Sequence, residues 1–432
     1  MTRRPVVAVV GSLDTKGEEF AYAVGLLKAA GVDPIMIDCG VIGAPPWSPD
    51  VSAEDVAKAS GHSLAEFRAR RDEPGARGEA IDAMGEGLAI IVPDMVAAGT
   101  VDGVFGIGGG QGSTMISAAL RALPIGVPKV LLSTMSPDNA GGYFGERDIA
   151  FFYSVSDIAG LNRITRRVIA NAAHAVAGMV THLPTWDDDE KPLVGITMFG
   201  TTTRAAHRIQ ERLHAAGLET VVFHAVGSGG RALERMIASG EIAGVIDLTP
   251  SEVTDDLFGG IFGAGPARLR GAVQAGIPQV IAPGALGQIT FGARDTVPAE
   301  YLDGDRVVLS HSPTVTIVRT NARESARVGA EIARRLQGAR HTEVLLSLGG
   351  LSDYEMPGAP LHAPEADSAL FASLRAALPD GIALLERPED INDPAFADFV
   401  AERFLALWRA SETDRTGPAS RTRAATAKET SR

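Results

Sequence analysis

Short β-branched runs recur along the chain, each followed by glycine and hydroxyl residues and then by a stretch whose apolar positions fall three or four apart. That alternation predicts parallel βα units, because a continuous apolar run suits a strand covered on both faces, while 3.6-residue spacing puts apolar side chains on one helix face. Strands are predicted at residues 6–10, 35–37, 104–107 and 128–133, and again at 193–198, 219–223, 245–248, 279–282, 307–310 and 344–348. Long helices are predicted at 162–180, with Ile164, Val168, Ala172, Val176 and Met179 inward, and at 321–336 and 394–407.

Two prolines and an acidic run interrupt this pattern between residues 183 and 192. A chain of 432 residues also exceeds the usual domain of roughly 100–200. The expected architecture is therefore α/β, with two doubly wound Rossmann-like domains, mainly parallel sheets and an interdomain cleft. Residues 1–185 would form the N-terminal nucleotide-binding domain, 186–192 a linker and 193–410 the C-terminal domain. Residues 411–432 are polar without apolar periodicity, the composition of a disordered tail.

The net charge of −13 opposes binding to nucleic acid. A single cysteine, Cys39, excludes an intrachain disulfide and any multi-cysteine metal site, and suits a reducing compartment. The N-terminus lacks the apolar core of a secretory signal, and no apolar run approaches the ~18–20 residues of a membrane span, so the chain reads as cytoplasmic. The 49 glycines cluster at the ends of apolar runs, as sharp turns do.

In doubly wound sheets, ligands bind beyond the carboxyl ends of the strands, so the turns there are the candidates. The first reads G-S-L-D-T-K-G-E-E-F from Gly11. Thr15 and Glu18 fit a capping box, Lys16 can neutralise a phosphate, and Asp14 can hold magnesium or a ribose hydroxyl. The second, from Gly106, reads G-I-G-G-G-Q-G-S and places Gly108, Gly109, Gly110, Gln111, Gly112 and Ser113 where backbone amides can cradle an anion. It is not a Walker A loop, since no Gly-Lys-Ser/Thr follows. After the strand at 128–133 comes a polar loop with Thr134, Met135 and Ser136, either a closure over a nucleotide or an ordinary connection.

The second half offers Thr201 and Thr202, Gly229 and Gly230, and Gly284 as substrate-binding positions. For Thr201, Thr202, Gly229 and Gly230 capping is the competing reading, and Thr249, Pro250 and Glu252 read as Ncap, N1 and N3 of a helix. His224 and Asp247, at strand ends, join Lys16 as candidate catalytic groups.

Taken together, the two glycine turns, S-T-M-S-P-D-N-A, V-I-D-L-T-P-S-E-V and P-G-A-L resemble the family of the N-terminal ATP-binding, inhibitory domain of the tomato mosaic virus resistance protein and its bacterial relatives. The resemblance covers residues from about 6 to 408. It implies two α/β lobes, bound ATP and a homodimer. It places the nucleotide on Gly11, Asp14, Thr15 and Lys16, with residues 108–113 around its phosphates. In plants the domain is joined to a TIM barrel similar to phosphoenolpyruvate hydrolases, so a separate barrel protein of that kind is an implied partner. Three functions stay open: an ATP- and Mg²⁺-dependent enzyme acting on a small anionic metabolite, a nonenzymatic ATP-dependent interaction module, and a sugar-phosphate or organic-acid enzyme without nucleotide.

Overall fold

The protein is described by a computed structural model covering residues 3–183, 191–303 and 306–416. It divides into two compact units, Met1–Asp187 and Asp188–Arg432. Most of the predicted linker, and the predicted tail from 417 onward, lie outside the described residues.

The N-terminal unit runs β1 (Val6–Gly11), α1 (Leu13–Ala29), β2 (Asp33–Asp38), α2 (Ala53–Ala59), α3 (Leu64–Ala69), α4 (Ala76–Ala97), β3 (Gly103–Gly108), α5 (Gly110–Ala122), β4 (Lys129–Ser133), α6 (Gly141–Phe144), β5 (Ala150–Tyr153) and α7 (Arg163–Thr181). Its five strands pair in parallel in the order β2-β1-β3-β4-β5. Strand alternation sorts the core into two layers. Val7, Val9, Phe105 and Ile107 face α1 and α7 through Phe20, Leu27 and Val176. Ala8, Val10 and Val104 face α2, α4 and α5 through Val56, Met84 and Ile116. Both faces are therefore covered, which is why these strands read as continuous apolar runs. Along α7 the buried stripe is Thr165, Ile169, Ala172, Val176 and Val180. Ile164 and Met179, expected inward, are 48% and 38% exposed. Small residues at 172, 173 and 177 let the helix turn its Ala face to the sheet instead.

The C-terminal unit runs β6 (Leu193–Met198), α8 (Thr203–Ala215), β7 (Glu219–His224), α9 (Ser228–Ala238), β8 (Gly244–Asp247), α10 (Glu252–Phe258), α11 (Gly271–Ala275), β9 (Gln279–Ile281), β10 (Gln288–Phe291), β11 (Val308–Ser312), β12 (Val315–Arg319), α12 (Ala322–Arg335), β13 (Thr342–Ser347), α13 (Pro364–Ala377), β14 (Ala383–Arg387) and α14 (Pro394–Thr416). Six strands form a parallel sheet, β14-β13-β9-β8-β6-β7. From β7 to β13 it repeats the connectivity of the first unit.

Two expectations are corrected. The strand predicted at 307–310 joins no parallel sheet: β10, β12 and β11 form a separate antiparallel sheet, because the two-residue connection from β11 to β12 permits only a hairpin. Residues 411–416, expected to open the polar tail, belong instead to α14, which continues to Thr416, and the buried Ser411 hydroxyl donates to the Trp408 carbonyl at 2.8 Å.

Candidate functional site

A sheet ordered 2-1-3-4-5 reverses direction between β1 and β3, and ligands bind at such switch points. The turn after β1 enters α1 at Leu13, with Ser12 at the N-cap and no side-chain cap. The Thr15–Glu18 capping box is therefore not formed. Asp38, at the end of β2, supplies the cap from another element: its Oδ1 accepts from the Leu13 amide at 3.0 Å and from Gly40 at 2.9 Å. Burial pushes the Asp38 carboxyl above its usual range, against the pull of those two amides.

Asp14 Oδ2 accepts from the amides of Ile42 and Gly43 at 2.8 and 3.0 Å, and its Oδ1 is buried without a partner. Lys16 leaves helical geometry, at φ −135° and ψ 32°. Its ammonium donates to the Ile158 carbonyl.

The glycines of the first unit fall into two groups. A Cβ on Gly11 would strike the Phe20 ring, one on Gly106 would strike Ile116, and one on Gly108 would strike the start of α5, so packing demands all three. Gly109, Gly110 and Gly112 have no positive φ. A Cβ would sit 3.7 Å from Thr134 Oγ1 on Gly109, 3.4 Å from Met135 Sδ on Gly110, and in open space on Gly112. The fold does not require glycine at these three.

Ser113 and Ser133 share a buried hydroxyl bond at 2.7 Å, and the Ser133 hydroxyl also accepts from the Met135 amide at 3.1 Å. The Thr134–Ser136 loop is thereby held beside the glycine turn.

The two turns meet in one cavity of about 560 Å³. Asp14, Thr15, Lys16 and the stretch from Gly108 to Gly112, Gln111 included, line it. Gly11, Ser113, Thr134, Met135 and Ser136 lie outside its wall. Three further cations face it that the sequence reading passed over: Arg68, Arg71 and Arg77. Arg77 donates to Gln111 Oε1 through Nε at 2.9 Å, and Arg68 donates to the Gly43 carbonyl at 2.9 Å. Arg68 lies in α3 and Arg77 in the first turn of α4, with Arg71 between them, and arginines in such a charged stretch look like a solvated surface. Phe67, Ile81 and Met115 form an apolar wall.

In the C-terminal unit the expected anion cradle is filled from within. The amides of Gly227 and Gly230 donate to Glu252 Oε1 at 2.7 and 3.0 Å. Arg268 donates through Nε to Glu252 Oε2 at 2.5 Å and through Nη1 to Asp247 Oδ2 at 2.7 Å. Glu252, Asp247 and Arg268 are buried, and burial pushes the Glu252 carboxyl up against the pull of Arg268. Asp247 thus faces an ion pair and lines none of the described cavities. Glu252 is an internal counterion where N3 of a cap was expected; α10 starts at Glu252 itself, after Ser251. Gly229, Gly230 and Gly284 are set by packing, since a Cβ would strike His224, Glu252 and Leu248 respectively. Thr202 is buried and shares a bond with Thr249 at 2.8 Å. Thr201 and His224 do line a cavity, a separate one.

Among the described residues no group of three or more His, Cys, Asp or Glu side chains is placed to hold a metal. No helix there is long and apolar enough to cross a membrane.

Two doubly wound parallel sheets with helices on their faces define a Rossmann-like α/β protein. Residues 5–185 match the N-terminal domain, and residues 191–408 the C-terminal domain, of Uncharacterised protein family (UPF0261). The chain belongs to that family. A UPF0261 protein of Clostridium tetani is 38% identical over 403 residues, covering 93% of this chain and 98% of that one. The ToMV resistance protein Tm-1(GCR237) of Solanum lycopersicum is 36% identical over 339 residues, 77% of this chain but only 45% of the tomato protein. Among solved structures, the Streptomyces sp. SF2575 glycosyltransferase SsfS6, complexed with thymidine diphosphate, aligns over 95% of this chain and 100% of its own at 13% identity and a TM-score of 0.19. That likeness is too loose to carry an argument.

Proposed function

We propose that the N-terminal cavity binds ATP, with the triphosphate at the glycine turn and the base against the apolar wall of Phe67, Ile81 and Met115. The observation that carries this reading is the surplus of glycine. Gly109, Gly110 and Gly112 have room for a side chain, yet none is present where the turn lines a cavity with Lys16, Arg68, Arg71 and Arg77. Backbone amides at a helix start favour an anion, and side-chain cations neutralise the remaining charge.

Magnesium fits beside such a ligand. It takes one or two carboxylates plus phosphate oxygens, and Asp14 is a carboxylate in the same wall whose Oδ1 is committed to no hydrogen bond. When bound it would neutralise phosphate charge. The chain's own contribution is positioning: Asp14 holds the loop at Ile42 and Gly43, and Gln111 orients Arg77.

Calorimetric titration of magnesium-ATP into the wild type, Lys16→Ala and Gly112→Ala tests the reading. Each variant should bind at least about tenfold more weakly, a difference of roughly 1.4 kcal/mol. The Gly112→Ala unfolding midpoint should hold or rise, because alanine is the better helix former where it fits. Wild-type affinity in both variants would remove the ligand from this cavity.

A further inference from the structure

The C-terminal unit holds a second cavity, of about 500 Å³, within the range of small-molecule sites. It opens beyond the carboxyl ends of β6 and β7, at Thr201 and His224, where doubly wound sheets receive ligands. One face of the antiparallel sheet walls it. Thr290 pairs with Ile317 across β10 and β12, and Gln288 and Val315, each two residues along, share their face. The opposite face, with Ile289, Phe291 and Val318, packs on Tyr301.

Two buried side chains in this wall have hydrogen-bonding capacity to spare. Gln288 is 2% exposed; its Nε2 donates to Ser352 Oγ and Glu355 Oε2, both at 3.0 Å. Those partners fix the amide orientation and leave Oε1, an acceptor, without a hydrogen bond. Thr290 is 3% exposed. Its amide donates to Asp255 Oδ1 and its carbonyl accepts from Ile261, both at 2.7 Å, but its hydroxyl has no partner. Both free atoms open on the cavity, and in the same wall the Thr201 hydroxyl is buried without a hydrogen bond; buried polar atoms are nearly always paired, so this cluster points to a ligand.

The remaining walls set its chemistry. Phe199 stands edge-on to His224, with ring centres 5.6 Å apart, and to Phe262 at 6.2 Å; His311 stands edge-on to Tyr354 at 5.9 Å and shares a hydrogen bond with its hydroxyl at 3.0 Å. Aromatic surfaces of this kind take up a ring. Among the described residues no lysine or arginine lines the cavity, and the carboxylate that does, Asp353, is paired with Arg204 at 2.7 Å. A phosphate would meet no fixed cation there.

We propose that this cavity is a binding site for an uncharged aromatic or heteroaromatic ring bearing hydrogen-bond donors, read by Gln288 Oε1 and the Thr290 hydroxyl. It shares no residue with the proposed nucleotide cavity, so the two readings stand or fall separately.

Ligand-observed NMR on the full chain, with benzamide, catechol, benzoate and phenyl phosphate as probes, tests it. Benzamide and catechol should bind at millimolar concentration, and the two anions at least about tenfold more weakly. Thr290→Val, which keeps the shape and removes the hydroxyl, should weaken the uncharged probes at least about fivefold. Val315→Trp should abolish their binding by filling the space, and serves if Thr290→Val does not fold. Absence of binding by both uncharged probes, preference for phenyl phosphate, or unchanged binding in the folded variants would overturn the proposal.

Discussion

Asp255 shows how far one residue's surroundings can move it. It is 2% exposed, its Oδ1 takes the Thr290 amide and its Oδ2 the Phe262 amide at 3.0 Å. Burial nevertheless dominates and pushes the carboxyl up to about 8, those two amides pulling down while neighbouring Asp256 and Glu252 push further up. The native state then holds a proton more tightly than the unfolded chain, whose aspartate titrates near ~3.9. This residue's contribution to stability is therefore full below that value and declines as pH rises toward about 8. Unfolding midpoints measured from pH 5 to 8 should fall more steeply in the wild type than in Asp255→Asn, which has nothing to titrate; parallel curves would refute the assignment.

At the scale of elements, α9 depends on a carboxylate that arrives from α10. Glu252 satisfies two amides at the α9 start and one edge of the Arg268 guanidinium, all buried. Glu252→Ala should cost about 3–5 kcal/mol, because two buried amides and the Arg268 Nε lose their acceptor while Asp247 still pairs the guanidinium, readable as a shift in the denaturant midpoint. A loss below about 1 kcal/mol, the scale of a surface pair, would mean that the neighbours relax to replace it.

This arrangement also marks where sequence reading stopped. Continuous apolar runs gave away β1, β3 and β6, because each such run must be covered on both faces. The turn at Gly108–Gly112 was legible for the same local reason, an excess of glycine over a short span. The partners of Glu252 were not, since Gly227, Asp247 and Arg268 come from separate stretches and meet only when the sheet is assembled. Arg68 and Arg77 were missed because a charged stretch carries no local sign of whether it faces solvent or a cavity.

For the whole molecule, the division of labour is spatial. Every residue lining the cationic cavity lies between Ser12 and Met115, inside the N-terminal unit, whose sheet carries its own two core layers. A chain ending after residue 183 should fold and keep magnesium-ATP affinity within about twofold of the full chain; a loss beyond about tenfold would show that the site needs the second unit.

The self-supplied counterion of the second unit alters how kinship between the halves should be understood. Two lobes of matching connectivity suggest two equivalent glycine turns, but in the second lobe an acid built into the chain already holds the amides. The acid at position 252 therefore leaves the amides of Gly227 and Gly230 nothing to offer an anion from outside, whatever the sequence of that turn suggests.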